Sequence, residues 1–262
     1  MQFAVIGNPI THSLSPLLHN SAFRTLGIKG YYGRYCLDNS ENFSTLTSLK
    51  LKGANVTIPY KETAFSHCDE VFGIAKQIQA VNTLVFKENK LLGYNTDALG
   101  FYQCIEKFQF KNALILGAGG SAKAVACILK DKGITTTILN RSKERLESFI
   151  ALGFQCSTYD NFFKQESYDI IINTTPSGLI QNSLPLEESK LKALLEDSKL
   201  AFDLIYGIQT PFLNLAKNLH IPTQDGKMML INQAILAFEI FMDSLGITYH
   251  KNNLISSMQN AL

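Results

Sequence analysis

The sequence predicts an α/β protein of two domains, one built on a mixed sheet and the other on a doubly wound, parallel one. Three observations lead there. At 262 residues the chain exceeds the usual size of one domain and leaves each of two domains long enough to bury a core. Short apolar runs alternate with helical periods along most of it, the signature of α/β architecture. A glycine-rich segment, Gly117 to Ala122, follows one apolar run directly and opens a helical one.

Taken in order, Phe3 to Ile6 is the first strand, closed by Gly7-Asn8-Pro9. A helix over Pro16 to Leu26 follows: Leu18, Ala22, Phe23 and Leu26 share one face, Ser15-Pro16 reads as N-cap and first helical residue, and Gly27 stops it. Ala54 to Ile58 is a strand halted by Pro59. Ala80 to Phe86 and Lys90 to Tyr94 pair as a hairpin through Lys87-Glu88-Asn89, which makes the first sheet mixed. Beyond residue 112 come strand Ala113 to Leu116, the glycine segment, helix Ala122 to Lys132, strand Thr135 to Leu139, helix Lys143 to Leu152 and strand Asp169 to Asn173, a βαβαβ half-unit. A strand over Leu200 to Leu204 precedes a helix with Thr210 as cap and Pro211 at its first position. Two last helices, near Lys227 to Leu245 and Asn252 to Ala261, have no strand between them and are expected to pack back on the first domain. The expected division is therefore 1–100 with 226–262, and 101–225.

Apolar residues make up 46% and charged residues 18% of the chain, an ordinary globular balance. A formal charge of +2 gives no reason to expect nucleic acid. The richest apolar stretch, Met228 to Met242, is interrupted by Asn232, Gln233 and Glu239, so no membrane span is expected. The opening MQFAVIG lacks the pattern of a secretion signal, and the expected location is the cytoplasm. The five cysteines are scattered without a C-x-x-C pair, and the five histidines lack a zinc spacing, so no metal is expected.

The pattern G-x-G-x-x-A from Gly117 to Ala122 has a specific physics in this strand-to-helix setting. Gly117 permits the tight turn, Gly119 lets backbone approach a pyrophosphate, and small Ala122 allows the helix to pack closely on the strand. The free N–H groups and positive dipole end of the helix then face the phosphates. This makes the second domain Rossmann-like. In an NAD site an acidic residue about 20 residues further on binds the ribose diol. Here that place reads Leu139-Asn140-Arg141-Ser142, with Arg145 one turn on. Two guanidinium groups and no carboxylate suit a 2′-phosphate, so the expected cofactor is NADP. The plainer alternative makes the arginines a solvated helix start and Ser142 its N-cap.

Polar residues in the first half stand where local structure does not require them: Thr11, His12, Ser13 and Ser15 after the first strand, Asn55 and Thr57 on an apolar strand with Lys61 beyond it, Asn82, and Asn95-Thr96-Asp97 after the hairpin. Several fall at strand ends, where open α/β sheets bind ligands. These segments closely resemble the shikimate dehydrogenase family over almost the whole chain. The likeness includes Gly7-Asn8-Pro9-Ile10-Thr11-His12-Ser13-Leu14-Ser15-Pro16, Asn55 to Lys61, Ala80-Val81-Asn82-Thr83, Asn95-Thr96-Asp97, the glycine segment, Asn140-Arg141-Ser142, Asp203-Leu204-Ile205-Tyr206 and Gln233-Ala234.

The resemblance implies reversible reduction of 3-dehydroshikimate to shikimate with NADPH, on the route to chorismate and aromatic amino acids. It implies a catalytic pair, Lys61 and Asp97. It implies that Ser13, Ser15, Thr57, Lys61, Asn82, Asp97 and Gln233 bind substrate, with Tyr206 closing the pocket. Gly117, Ala118, Gly119, Gly120, Ser121, Asn140, Arg141, Ser142, Arg145, Leu204 and Gly226 would line NADP. Three positions depart from the family: Ser142 replaces the commoner threonine, Met228 a glycine, and Asn232 a small apolar residue. Taken alone, Ser15 reads as a helix cap, Asp97 as a cap for a helix from Ala98, and Lys61 as a surface lysine. Two other functions stay open at this point: a quinate/shikimate dehydrogenase with relaxed substrate and cofactor choice, and a non-catalytic NADP-binding sensor. The expected partner is the small-molecule substrate, with no nucleic acid or membrane, and the expected state is monomer or homodimer.

Overall fold

The computed structural model describes residues 1–162, 167–179 and 181–262. The chain divides into two compact units, Met1–Gly100 with Leu230–Leu262, and Phe101–Met229. In chain order the elements are β1 (Gln2–Gly7), α1 (Ser15–Thr25), β2 (Tyr31–Cys36), a 3-10 stretch (Ser40–Leu49), β3 (Gly53–Val56), α2 (Lys61–His67), β4 (Glu70–Val71), α3 (Ala75–Ile78), β5 (Thr83–Lys87), β6 (Lys90–Tyr94) and α4 (Asp97–Ile105). They continue with β7 (Asn112–Leu116), α5 (Gly120–Asp131), β8 (Thr135–Asn140), a 3-10 turn (Glu144–Leu146), α6 (Glu147–Ala151), β9 (Gln155–Thr158), β10 (Ile170–Asn173), α7 (Glu188–Leu195), β11 (Leu200–Asp203), α8 (Pro211–Asn218), β12 (Thr223–Gln224), α9 (Lys227–Ser244) and α10 (Lys251–Gln259).

The sheet of the first unit has the order β2-β1-β3-β5-β6-β4. β1 lies parallel to β2 and β3, whereas β5 runs antiparallel to β3 and β6, so the sheet is mixed as expected. The hairpin closes through Glu88 and Asn89, both at positive φ (51° and 62°), the two-residue turn whose twist matches its strands. Apolar side chains cover both faces. On one, Phe3 packs on Phe23 and Phe241 with ring centroids 5.3 and 5.1 Å apart. On the other, Ile6, Val56 and Leu84 join Phe43, Leu46, Tyr60 and Ala64 in a buried cluster. α10 returns to this unit, where the Ser21 hydroxyl donates to the Ser257 carbonyl at 3.1 Å.

The second unit carries a wholly parallel sheet ordered β12-β11-β10-β7-β8-β9. Counted from β7, that is the doubly wound order 3-2-1-4-5-6 read from the far edge, with its switch point between β7 and β10. The central strands Ile170–Asn173 and Leu200–Asp203 are continuous buried runs, as a parallel strand covered on both faces requires.

The structure differs from the sequence expectations at several elements. β9 (Gln155–Thr158) is an additional strand, so the strand near Asp169 does not close the first half of this sheet but begins its second half. Of its residues QCST, at a sheet edge, Gln155 is exposed and the other three are half-buried, and they carry no apolar run. β2 is additional for the same reason: Gly33 and Arg34 interrupt an edge strand. The helix expected over Lys143 to Leu152 is a 3-10 turn followed by the short α6. α1 begins at Ser15 with Leu14 in the cap position and no side-chain cap bond, so Ser15 is not the N-cap. Thr210 does cap α8, its hydroxyl accepting from the Leu213 N–H at 3.3 Å.

Candidate active site

In the first unit one edge of the sheet gathers the polar residues. β1 ends at Gly7 and β3 at Val56, while antiparallel pairing of Asn55 with Thr83 and of Thr83 with Tyr94 brings the start of β5 and the end of β6 to the same edge. Ser13, Thr57, Lys61, Asn82 and Asp97 all lie on the segments that continue from these ends. Lys61 is the first residue of α2 and Asp97 the first of α4. Their side chains meet, Lys61 Nζ donating to Asp97 Oδ2 at 2.6 Å, with 18% and 13% of each left accessible. The reading of Lys61 as an ordinary surface lysine fails.

A single stretch, Ala80 to Asn82, holds both partners. The Val81 N–H donates to the Lys61 carbonyl at 2.9 Å. Asn82 Oδ1 accepts from the Thr96 N–H at 2.8 Å, and Asn95 Nδ2 donates to the Ala80 carbonyl at 3.0 Å. It is Asn95, through Oδ1 at 3.3 Å, that accepts the Ala98 N–H. Asp97 is thereby relieved of capping duty, and its carboxylate is available for Lys61.

Behind the pair runs a buried polar network. Tyr32 donates to Asn55 Oδ1 at 2.6 Å, and Asn55 Nδ2 donates to the Asn82 carbonyl at 3.1 Å and to the Thr83 hydroxyl at 3.0 Å. Burial pushes the Tyr32 phenol well above its ordinary range, opposed by the Asn55 backbone and the Ser15 side chain. Ser13 donates to the Ser15 hydroxyl at 3.3 Å, and Arg34 grips the Ser13 carbonyl at 2.6 Å. Gln233 on α9 is buried, its Nε2 donating to the Leu230 carbonyl at 2.8 Å. Its backbone packs on α4 at Gly100, where a β-carbon would stand 2.8 Å from the Gln233 nitrogen. Asn232, a family departure, donates to the Gly100 carbonyl at 3.2 Å and so faces α4.

The second unit offers a different edge. Gly117 takes φ +105°, and a β-carbon there would lie 2.7 Å from the Thr174 hydroxyl, so only glycine makes this turn. Gly119 and Gly120 face open space, where a β-carbon on either would meet no atom within 4 Å, and lead into the 12-residue helix α5. Ala122 is fully buried, as close helix packing demands. At the end of β8, Asn140 Nδ2 donates to the Ser142 carbonyl and hydroxyl at 2.9 and 3.1 Å. Arg141 and Arg145 are exposed and have no ion-pair partner among the described residues. These donors and this open glycine turn fit a dinucleotide with a 2′-phosphate. The alternative role of Ser142 as a helix cap fails, since Lys143 occupies the cap position of the 3-10 turn and makes no side-chain cap bond.

Leu204 follows β11, and its carbonyl would be 2.1 Å from a β-carbon on Gly226; the Gly226 N–H donates to the Ile205 carbonyl at 3.1 Å. Two residues to which the sequence reading assigns no role stand here: Asn173 and Asp203, fully buried at the ends of β10 and β11. Their signal in the sequence is a polar residue closing each of two wholly apolar strands. Burial pushes the Asp203 carboxyl upward, opposed by bonds from Thr210, Ile205 and Asn173. Tyr206 is half-buried, and burial raises its phenol. Among the described residues no group of His, Cys, Asp and Glu could hold a metal, and no helix is long and apolar enough to cross a membrane.

Comparison with known proteins follows the same lines. The profile of the shikimate dehydrogenase substrate binding domain matches residues 5–84. A relative from Helicobacter hepaticus (strain ATCC 51449 / 3B1), named shikimate dehydrogenase (NADP(+)), is 54% identical over 99% of this chain and 98% of its own. A crystal structure of shikimate 5-dehydrogenase from Thermus thermophilus, in complex with NADP(H) and shikimate, superposes with a TM-score of 0.86 at 31% identity over 100% of both chains. The ligand-free 5-ketofructose reductase of Gluconobacter sp. strain CHM43 is also similar, with a TM-score of 0.81 at 27% identity over 100% of this chain and 99% of its own.

Proposed function

The chain belongs to the shikimate dehydrogenase family, and we propose that it reversibly reduces 3-dehydroshikimate to shikimate with NADPH, on the route to chorismate and the aromatic amino acids. The observation that carries this reading is the 2.6 Å contact of Lys61 with Asp97, at a sheet edge crowded with hydroxyl and amide groups. A polyhydroxylated cyclic acid needs such a lining, and a secondary alcohol needs one group that moves a proton in either direction.

Lys61 is the acid in reduction: its ammonium gives a proton to the carbonyl oxygen as that oxygen becomes a hydroxyl, and in oxidation the amine takes the proton back. Bound NADPH supplies the hydride to the carbonyl carbon, and NADP takes it up in reverse. Asp97 fixes the direction of the ammonium and accepts a substrate hydroxyl on its second oxygen. Ser13 and Ser15 are placed for the substrate carboxylate, and the Thr57 hydroxyl, which makes no hydrogen bond among the described residues, for a ring hydroxyl. Asn82 spends Oδ1 on Thr96 and Thr83, so its amide nitrogen, with one hydrogen donated to Thr96, is the atom left for substrate. Gln233 supplies a further amide, whereas the role of Tyr206 stands on the family likeness alone. Asn140, Arg141, Ser142 and Arg145 are assigned to the 2′-phosphate, Gly117 to Ser121 to the pyrophosphate, and Leu204 and Gly226 to the nicotinamide end. The setting proposed is the cytoplasm, with the protein a monomer or homodimer. An absorbance assay of nicotinamide with shikimate and NADP tests the reading; a folded protein without turnover in either direction refutes it.

A further inference from the structure

We propose that Asp203, acting with Asn173, is a positioning residue for the dinucleotide edge of the second unit: the pair sets the loops that carry the cofactor contacts without touching the cofactor. This rests on the assignment of that edge to NADP. Both side chains are 0% exposed and close the adjacent parallel strands β10 and β11, where Asn173 pairs with Asp203. A carboxylate buried this deeply is costly unless its lone pairs are used. They are. Asp203 Oδ1 accepts from Asn173 Nδ2 at 3.1 Å and from the Ile205 N–H at 3.0 Å, and Oδ2 accepts from the Thr210 hydroxyl at 2.7 Å.

What these bonds hold is the reason for the assignment. The Ile205 N–H fixes the turn after β11, whose Leu204 carbonyl is backed by Gly226. Asn173 Oδ1 accepts from the N–H and hydroxyl of Thr175 at 3.0 and 2.7 Å, and the Thr175 hydroxyl accepts from the Ser177 N–H at 3.3 Å. Next to it, Thr174 donates to the Leu116 carbonyl at 2.7 Å and stands against the turn at Gly117. One amide–carboxylate pair therefore ties together the loops that follow β10 and β11, and Thr174, next to it, joins the first of these to the turn after β7, across the switch point where doubly wound sheets bind nucleotides. Capping α8 requires only the Thr210 hydroxyl as an acceptor, and would leave Asn173 and Ile205 no reason to converge on the same carboxylate.

The test is NADPH binding, followed by nicotinamide fluorescence, for the native protein, Asp203→Asn, Asp203→Ala and Asn173→Ala, each well below its melting temperature. Asp203→Asn keeps an oxygen for Asn173 and Ile205 and turns its amide to Thr210, so it should bind with nearly native Kd. Asp203→Ala should raise Kd by about tenfold or more, by analogy with the effect of outer-shell partners at metal sites, while the KM for shikimate stays native. A folded Asp203→Ala protein with lower melting temperature and native NADPH affinity overturns the proposal. If that variant does not fold, Asn173→Ala decides by the same Kd: a rise supports the role and a native value removes it. Failure of the native protein to bind NADPH is a separate result, which overturns the cofactor reading and this proposal with it.

Discussion

His19 makes the first unit acid-labile in a way that can be worked out in advance. It lies on α1, 0% exposed, stacked on Tyr32 with ring centroids 4.2 Å apart and planes 2° from parallel, with Phe238 and Phe241 around it. Neither ring nitrogen has a hydrogen-bond partner among the described residues. Burial with no compensating acceptor disfavours the imidazolium and lowers the pKa from 6.5 to about 3. The unfolded chain therefore binds a proton between pH 6.5 and 3 that the folded chain refuses, and stability falls as the pH drops through that window. Linkage puts the loss at about 2 kcal/mol by pH 5 and about 5 kcal/mol below pH 3, taking about 1.4 kcal/mol per pKa unit. At pH 5 that is a sizeable part of the roughly 5–15 kcal/mol that holds a domain folded. The measurement is urea unfolding by circular dichroism between pH 7 and 5, above most carboxylate titration, for the native protein and His19→Phe. The variant has no group to protonate and should lose about 2 kcal/mol less across that range. Parallel loss in both proteins would refute the reasoning and move the acid sensitivity elsewhere.

Lys61→Ala should lower kcat by roughly 100-fold to 10,000-fold with a smaller change in KM, as expected for removal of a general acid, and steady-state rates in both directions check it. Asp97→Ala should damage both parameters. Arg141→Ala should raise the KM for NADP by roughly tenfold to a hundredfold, the worth of one charge-assisted bond, and leave that for NAD nearly unchanged; equal harm to both cofactors would remove Arg141 from the 2′-phosphate. Gly226→Ala should weaken NADPH binding in a titration, because its new methyl would be 2.1 Å from the Leu204 carbonyl and must displace that segment.

The features legible in the sequence are those whose pattern is local. The turn at Gly117, the Thr210-Pro211 start of α8 and the hairpin at Glu88-Asn89 each follow from a few adjacent residues. Lys61 and Asp97 are identified by their motifs, but no local pattern shows that Nζ and Oδ2 lie 2.6 Å apart across 36 residues of chain. That needs the register of β5 against β3 and β6. Ser15 misleads because a serine before a proline carries the same signal whether it caps the helix or sits inside its first turn. β2 and β9 escape detection because edge strands with one solvated face lose the apolar run by which strands are read. Asn173 and Asp203 are not legible as partners because each looks like the polar end of a strand; only the pairing of β10 with β11 makes them one device.

The return of the C-terminal helices to the first unit has a consequence for synthesis on the ribosome. Phe238 and Phe241, which cover Phe23 and Phe3, belong to α9, and the unit they complete begins at Met1. Between Gly100 and Phe241 the ribosome adds about 140 residues, at roughly 5–20 per second a delay on the order of 7 to 30 s. During it the nascent N-terminal sheet has an uncovered aromatic face, while Phe101–Met229, continuous in sequence, has emerged in full before the closing helix is available. The second unit can thus complete its fold first, and the half of the protein that bears the Lys61–Asp97 pair is the last to have all its residues synthesised.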